Sequence, residues 1–214
     1  PGARCDVESM EYSYQFSNSL EQEWEWTERY AGQKEILEYL NHVADRFDLR
    51  SHILFECEVT SARFNDDARR WRIDAGEEKF SSRFCVMATG NLSSTNTPNF
   101  EGIEGFQGEI YHTGNWPHDP VDFTNKRIGI IGTGSSAIQA TPVIAPQAKE
   151  LHVFQRTPNF SVPAKNHPLA KEVQDEIKRD YSGLRARARA LPIACFMPPN
   201  PGKAVEALPE ERED

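Results

Sequence analysis

Apolar residues recur at helical spacing between Gln33 and Phe47, at Ile36, Leu37, Leu40, Val43, Ala44 and Phe47, with Glu35, Glu38, Asn41 and Arg46 on the other faces. This predicts an amphipathic helix, with His42 on its solvated side. Three runs of strand type follow, Ile53 to Phe64, Trp71 to Ala75 and Phe84 to Ala88, and the turn Asn65-Asp66-Asp67 predicts that the first two pair antiparallel. Further on, the apolar run Arg127 to Ile131 reads as a strand, leading through a glycine-rich turn into a helical stretch to about Ala148 that Pro142 should shorten or kink. A second strand is expected from Leu151 to Gln155. Between 168 and 190, Leu169, Val173, Ile177, Tyr181 and Leu184 describe an exposed helix with one apolar stripe, and Arg185, Arg187 and Arg189 read as its solvated face. Residues 1 to 32 interleave Tyr12, Tyr14, Phe16, Trp24, Trp26 and Tyr30 with glutamates and show no clean period. They read equally as a functional loop or as a surface segment pinned by its aromatics.

Composition narrows the function classes. A chain of 214 residues, 38% hydrophobic, can bury one good core or two small ones. A formal net charge of −9 argues against nucleic acid, whose phosphates require a basic face. Apolar runs are far shorter than the ~20 residues that cross a bilayer, so no membrane partner is expected and the chain reads as cytosolic. Cys5, Cys57, Cys85 and Cys195 are widely separated with no CxxC pair, which predicts packed, reduced thiols and neither a zinc site nor a disulfide framework. The opening Pro1-Gly2-Ala3-Arg4 and the charged run to Asp214 suggest a piece of a longer protein.

The chemistry begins at Gly132-Thr133-Gly134-Ser135-Ser136-Ala137, a GxGxxA turn between the predicted strand and helix. Gly132 permits the tight turn, Gly134 lets backbone approach a pyrophosphate, and the small Ala137 lets helix and strand pack closely. The helix N-terminus would present free N–H groups to the phosphates. At the end of the next strand, where a carboxylate would select NAD, the chain carries Gln155-Arg156-Thr157. A guanidinium there can hold a 2′-phosphate by bidentate bonds, so NADPH is expected; a solvated surface arginine is the plain alternative. Ala88-Thr89-Gly90 would let backbone pass close to a ligand, although standing alone the motif is better accounted for by an ordinary strand-ending turn.

Ahead of the turn lies Phe106-x-Gly108-x-x-x-His112-x-x-x-Trp116-Pro117, in which the glycines and proline rule out a helical face and the aromatics alone do not account for His112. Together with Gly132 to Ala137, this FxGxxxHxxxWP pattern resembles the flavin-dependent Baeyer–Villiger monooxygenases of the phenylacetone and cyclohexanone monooxygenase group. The resemblance extends through Pro1 to Ser9, Trp26-Thr27-Glu28-Arg29-Tyr30 and Val153 to Pro158, and is weakest after about Asn166. It implies an α/β fold of two dinucleotide-binding, Rossmann-like domains, each incomplete here, with a small antiparallel β layer and the start of a helical insertion. The implied division is 1–95 for part of an FAD domain, 96–120 for the linker, 121–165 for an NADP domain and 166–214 for the insertion.

The same resemblance assigns roles. Arg4, Asp6 and Tyr12 would lie against the flavin, Asp6 supporting an active-site arginine that lies outside this stretch. Val59 would sit near the FAD adenine, and Ala88, Thr89 and Gly90 where the chain passes the flavin. Gly132, Thr133, Gly134, Ser135, Ser136 and Gln139 would cradle NADPH, and Arg156 and Thr157 would take its 2′-phosphate. His112 and Trp116 belong to the linker coupling the two domains; Asp6 and His112 are the candidate catalytic residues and Trp116 a cofactor contact. The implied reaction uses NADPH, FAD and O2 to insert one oxygen atom beside a ketone carbonyl, giving an ester or lactone. An N- or S-oxygenase, or a non-catalytic NADP-binding piece, is the alternative. A first GxGxxG turn, for the FAD pyrophosphate, is expected upstream of Pro1, so this stretch alone is not expected to be catalytically competent.

Overall fold

The computed structural model describes residues 2–90, 92–161, 163–192, 194 and 195. The chain divides into two compact units, Pro1–Arg46 with Asn125–Asp214, and Phe47–Thr124.

The first unit is built on the segment expected to be irregular. It contains two short helices, α1 (Ser9–Tyr12) and α2 (Asn18–Glu23), the latter capped by the Ser17 hydroxyl accepting from the Leu20 N–H. The amphipathic helix follows as α3 (Gln33–Arg46). Trp24, Trp26 and Tyr39 pack ring against ring at 5.0–5.8 Å, and Trp26 and Tyr39 are almost fully buried. The two most buried rings find partners for their polar tips: Trp26 Nε1 donates to Ser13 Oγ at 3.0 Å, and Tyr39 Oη accepts from the Tyr14 N–H at 2.8 Å, whereas Trp24 Nε1 is buried with no hydrogen-bond partner among the described residues. These aromatics show no period because they fill a core from turns and short helices. His42 differs from expectation: it stacks on Trp24 at 5.4 Å, with Nε2 3.5 Å from a Glu23 carboxylate oxygen.

The helical stretch near the C-terminus breaks into α5 (Lys171–Arg179) and α6 (Tyr181–Arg189) at Asp180, whose carboxylate caps α6 by accepting from the Gly183 N–H. Gln174 of α5 is buried, and its side-chain amide exchanges two 2.9 Å bonds with the Trp26 backbone. Tyr181 is buried with its hydroxyl on the Met10 carbonyl. Arg185 corrects the expected solvated face. It is buried, donates to the carbonyls of Glu11 and Ser13 at 2.6 and 2.7 Å, and pairs with Glu21 at 3.3 Å. Charge in the sequence reads as exposed unless its partner, here far upstream, is known.

In the second unit β1 (Val59–Asn65) and β2 (Arg70–Ala75) pair antiparallel as expected. The residues before Val59 form a 3-10 turn (Leu49–His52) and coil, so the first strand is shorter than expected. The third strand of the sheet is β3 (Glu78–Ser82), joined to β2 by a two-residue loop with Gly76 at φ +62. The predicted strand Phe84 to Ala88 lies outside any sheet of the described residues. Its backbone is engaged locally, Ser82 Oγ donating to the Phe84 carbonyl and the Ala88 N–H to Val86, while Phe84 and Val86 are exposed. The true third strand escapes an apolar pattern because it is a polar edge.

Candidate dinucleotide-binding site

β4 (Arg127–Ile131) and β5 (Glu150–Phe154) pair in parallel, Gly129 opposite His152 and Ile131 opposite Phe154. Between them runs α4 (Ser135–Ile144), with Pro142 tolerated inside it and Thr141 Oγ1 bonded to the Ala137 carbonyl. This strand, turn, helix and parallel strand form the βαβ unit expected from the glycine pattern. At the turn Gly132 takes φ +108 and its N–H donates to the Phe154 carbonyl at 2.8 Å. Gly134 occupies the N-cap of α4 with no side-chain cap, and no acidic residue lies in the first turn. A Cβ on Gly132 or Gly134 would meet no atom within 4 Å. The space beside both glycines is therefore open, next to the uncapped N–H groups of Ser135 and Ser136, which suits an anionic diphosphate.

The rim of this turn is bonded to the chain beyond β5. The Thr133 hydroxyl donates to the Thr157 carbonyl at 3.5 Å, and Asn159 Nδ2 reaches the Thr133 carbonyl at 3.0 Å and its hydroxyl at 3.3 Å. Arg156 lies between these rungs, exposed, with no hydrogen bond or ion pair to the described residues. Gln155 precedes it, so no carboxylate closes the strand. Asn159 was not singled out by the sequence; an amide one turn beyond a basic residue carries no signal until the loop is folded.

The other face of α4 meets the N-terminal segment. Gly2, at φ +73, approaches so closely that a Cβ would lie 2.1 Å from the Gln139 carbonyl oxygen. The Arg4 N–H donates to Gln139 Oε1 at 3.2 Å, while Gln139 Nε2 turns toward Ser135 Oγ at 3.4 Å. The structure thus joins two predicted site residues, Arg4 and Gln139. Arg4 Nη1 also donates to Glu28 at 2.6 Å and to the Tyr30 carbonyl at 2.8 Å. Asn166 bonds the same Glu28 carboxylate and accepts from the Tyr30 N–H at 2.9 Å. The Arg4 bond, then Asn166, hold the Glu28 carboxyl below the usual carboxylate range. Neighbouring Glu8 and Arg29 pair in the same way at 2.6 Å. Asp6 sits exposed on the bend between these pairs, and Tyr12, at the end of α1, is 44% exposed. Cys5 is buried, which raises its thiol above the ordinary value.

In the second unit the residues of the FxGxxxHxxxWP pattern from His112 onward gather in a compact turn. His112 and Asn115 form a bridge, the Asn115 N–H donates to the His112 carbonyl at 2.9 Å, and His112 Nδ1 accepts from the Gly114 N–H at 3.1 Å. Neutral His112 therefore carries its proton on Nε2. Trp116 packs between Tyr111 and the buried Phe123 at 5.5 and 6.1 Å. The two glycines have steric causes: a Cβ on Gly108 would meet the Phe106 ring at 2.7 Å, and one on Gly114 would meet Thr95 at 2.9 Å. Val59 and Ala88-Thr89-Gly90 are exposed, with Gly90 at φ +75 and open space at its Cβ position. All four cysteines are free. Among the described residues no cluster suited to a metal occurs, and no helix is long and apolar enough to cross a membrane.

A family model described as pyridine nucleotide-disulphide oxidoreductase matches residues 8–185, and the chain belongs to that family. Within it, the similarity is to monooxygenases over the whole chain. A Baeyer-Villiger monooxygenase of Pseudooceanicola batsensis is 41% identical over 215 residues, covering 100% of this chain and 39% of that protein. A solved structure of oxidized steroid monooxygenase bound to NADP is 52% identical with a TM-score of 0.87, covering 99% of this chain and 41% of its own. The structure of OTEMO in complex with FAD and NADP is 40% identical with a TM-score of 0.87, covering 100% of this chain and 41% of its own. The chain thus spans about two fifths of the length of these relatives.

Proposed function

We propose that the protein carrying this chain is an NADPH- and FAD-dependent monooxygenase of the Baeyer–Villiger type, inserting one atom of O2 beside the carbonyl of a small ketone to give an ester or lactone. The observation that carries this reading is the open, uncapped glycine turn followed by Arg156 where a carboxylate would select NAD. Similarity to monooxygenases bound to NADP, and to FAD and NADP, supports the cofactor pair.

When bound, the nicotinamide supplies hydride and the flavin supplies oxygen activation. The chain's own residues bind and orient. Gly132 and Gly134 leave room for the diphosphate, the first N–H groups of α4 donate to it, and Arg156 with Thr157 receives the 2′-phosphate. Gln139 ties this helix to Arg4, in the segment proposed to face the flavin with Asp6 and Tyr12. Asp6 would support an arginine from the remainder of the protein, and His112 and Trp116 would act in the linker, His112 donating from Nε2. Val59 and Ala88 to Gly90 are assigned to the flavin, within a division of 1–95 FAD part, 96–120 linker, 121–165 NADP part and 166–214 insertion. A cytoplasmic location belongs to the same reading, supported by four free cysteines.

The test is incubation of the full-length protein with NADPH, O2 and a cyclic or aryl ketone, followed by product analysis. Ester or lactone is expected. Peroxide alone would overturn the assignment, and oxygenation of an amine or sulfide with no ketone turnover would move the protein to the N- or S-oxygenases.

A further inference from the structure

A dinucleotide has a fixed covalent distance between its pyrophosphate and its adenosine ribose. A protein that holds both must fix the helix N-terminus and the 2′-phosphate residue in register with each other. Here the first is the N-terminus of α4 and the second is Arg156, on a chain segment that has already left β5. A long arginine side chain with no partner among the described residues takes its placement from its backbone.

That backbone is pinned on both sides. Before Arg156, the Gly132 N–H holds the Phe154 carbonyl at 2.8 Å. After it, the Thr133 hydroxyl meets the Thr157 carbonyl, and Asn159 Nδ2 spans the Thr133 carbonyl and hydroxyl at 3.0 and 3.3 Å. Three rungs thus continue the β4–β5 pairing past its last ladder bond, and Asn159 supplies the final one. A side-chain amide, with two N–H donors on one nitrogen, can serve both oxygens of Thr133. We infer that Asn159 is a positioning residue for recognition of the 2′-phosphate, locking the Arg156-Thr157 backbone to the glycine turn and thereby setting NADPH preference. This deepens, and rests on, the assignment of Arg156 to that phosphate.

The experiment compares 2′,5′-ADP with 5′-AMP as probes, titrated into the full-length protein carrying Asn159→Asp, Asn159→Ala or Arg156→Ala. Asn159→Asp keeps the shape, removes the donors and adds a negative charge, and the uncharged Asn159→Ala separates loss of positioning from repulsion of the 2′-phosphate. Both Asn159 variants are expected to weaken 2′,5′-ADP binding by about tenfold while 5′-AMP changes by less than about threefold, and to raise the KM for NADPH with little change in kcat. Because the readout is a ratio within one protein, a general loss of folded material moves both probes together. Equal weakening of both probes, or no weakening of either, overturns the role of Asn159. If Arg156→Ala collapses the ratio and the Asn159 variants do not, the positioning role alone fails. If Arg156→Ala leaves the ratio intact, the 2′-phosphate reading fails and this inference falls with it.

Discussion

Arg185 and Glu21, far apart in sequence, form an ion pair at 3.3 Å with their side chains only 7% and 9% exposed. The guanidinium also fastens the carbonyls of Glu11 and Ser13, so α6 is bolted to the turns around α1 and α2. Removing one partner strands a buried charge, which costs more than the pair contributes net. Arg185→Met is expected to lower stability by about 3–5 kcal/mol, and the double variant with Glu21→Leu to recover much of that. Urea unfolding of both, beside exposed Arg187→Met, checks it; equal effects of Arg185→Met and Arg187→Met would refute the pair's importance.

The glycine turn separates stability from binding. Gly134 has φ −74 with open space around its Cβ position, so Gly134→Ala should change stability by no more than about 0.5 kcal/mol. NADP+ affinity should nevertheless fall at least about tenfold, because the methyl group enters the space assigned to the diphosphate. Gly132→Ala should in addition lose about 1–3 kcal/mol through backbone strain at φ +108. Thermal melts with and without NADP+ measure both quantities.

Phe106 and Gly108 are one packing unit, since the ring occupies the place of the missing Cβ. Gly108→Ala is expected to cost no more than about 1 kcal/mol, because the Phe106 ring is 61% exposed and can swing aside. In a background of Phe106→Ala the same change should cost little, and denaturation of the four proteins of this cycle reads the coupling directly. Additive effects would show that the ring does not set the glycine.

Glu28 gives a pH dependence with a definite sign. Its folded pKa is lowered, chiefly by Arg4, so its contribution is present above the unfolded value of about 4.3 and is lost as pH falls through the folded value. Glu28→Gln should therefore flatten the acid limb of stability below that pH while slightly weakening the protein at neutrality. The effect is small, because the Glu28 side chain is 37% exposed. Acid titration of unfolding for the two proteins is the check; identical acid limbs would sink it.

The sequence was most legible where one local rule acts alone. The amphipathic period of α3, the Asn65 turn and the Gly132 to Ala137 motif each specify their element without reference to distant residues. It was least legible where distant partners decide. Glu78–Ser82 is a strand because β2 lies beside it, and Phe84 to Ala88 is not one because no described strand does. Arg185 reads as a surface residue until Glu21 arrives, and nothing local marks Gln174 as the partner of Trp26. At the proposed site, the glycines and Arg156 stand out from spacing alone, whereas Asn159, Gly2 and the Arg4–Glu28–Asn166 knot depend on folded loops.

The first unit is assembled from two stretches separated by the whole of Phe47–Thr124, and this imposes an order on its making. The amide that holds the Trp26 backbone, on Gln174, is synthesised 148 residues after Trp26 itself, and Arg185 later still. At elongation rates of roughly 5–20 residues per second, the Trp24–Trp26–Tyr39 cluster waits on the order of ten seconds for its cover. During that interval the whole of Phe47–Thr124 emerges and can form its antiparallel sheet. Over the same interval the nascent chain exposes these aromatics to aggregation and to chaperone capture.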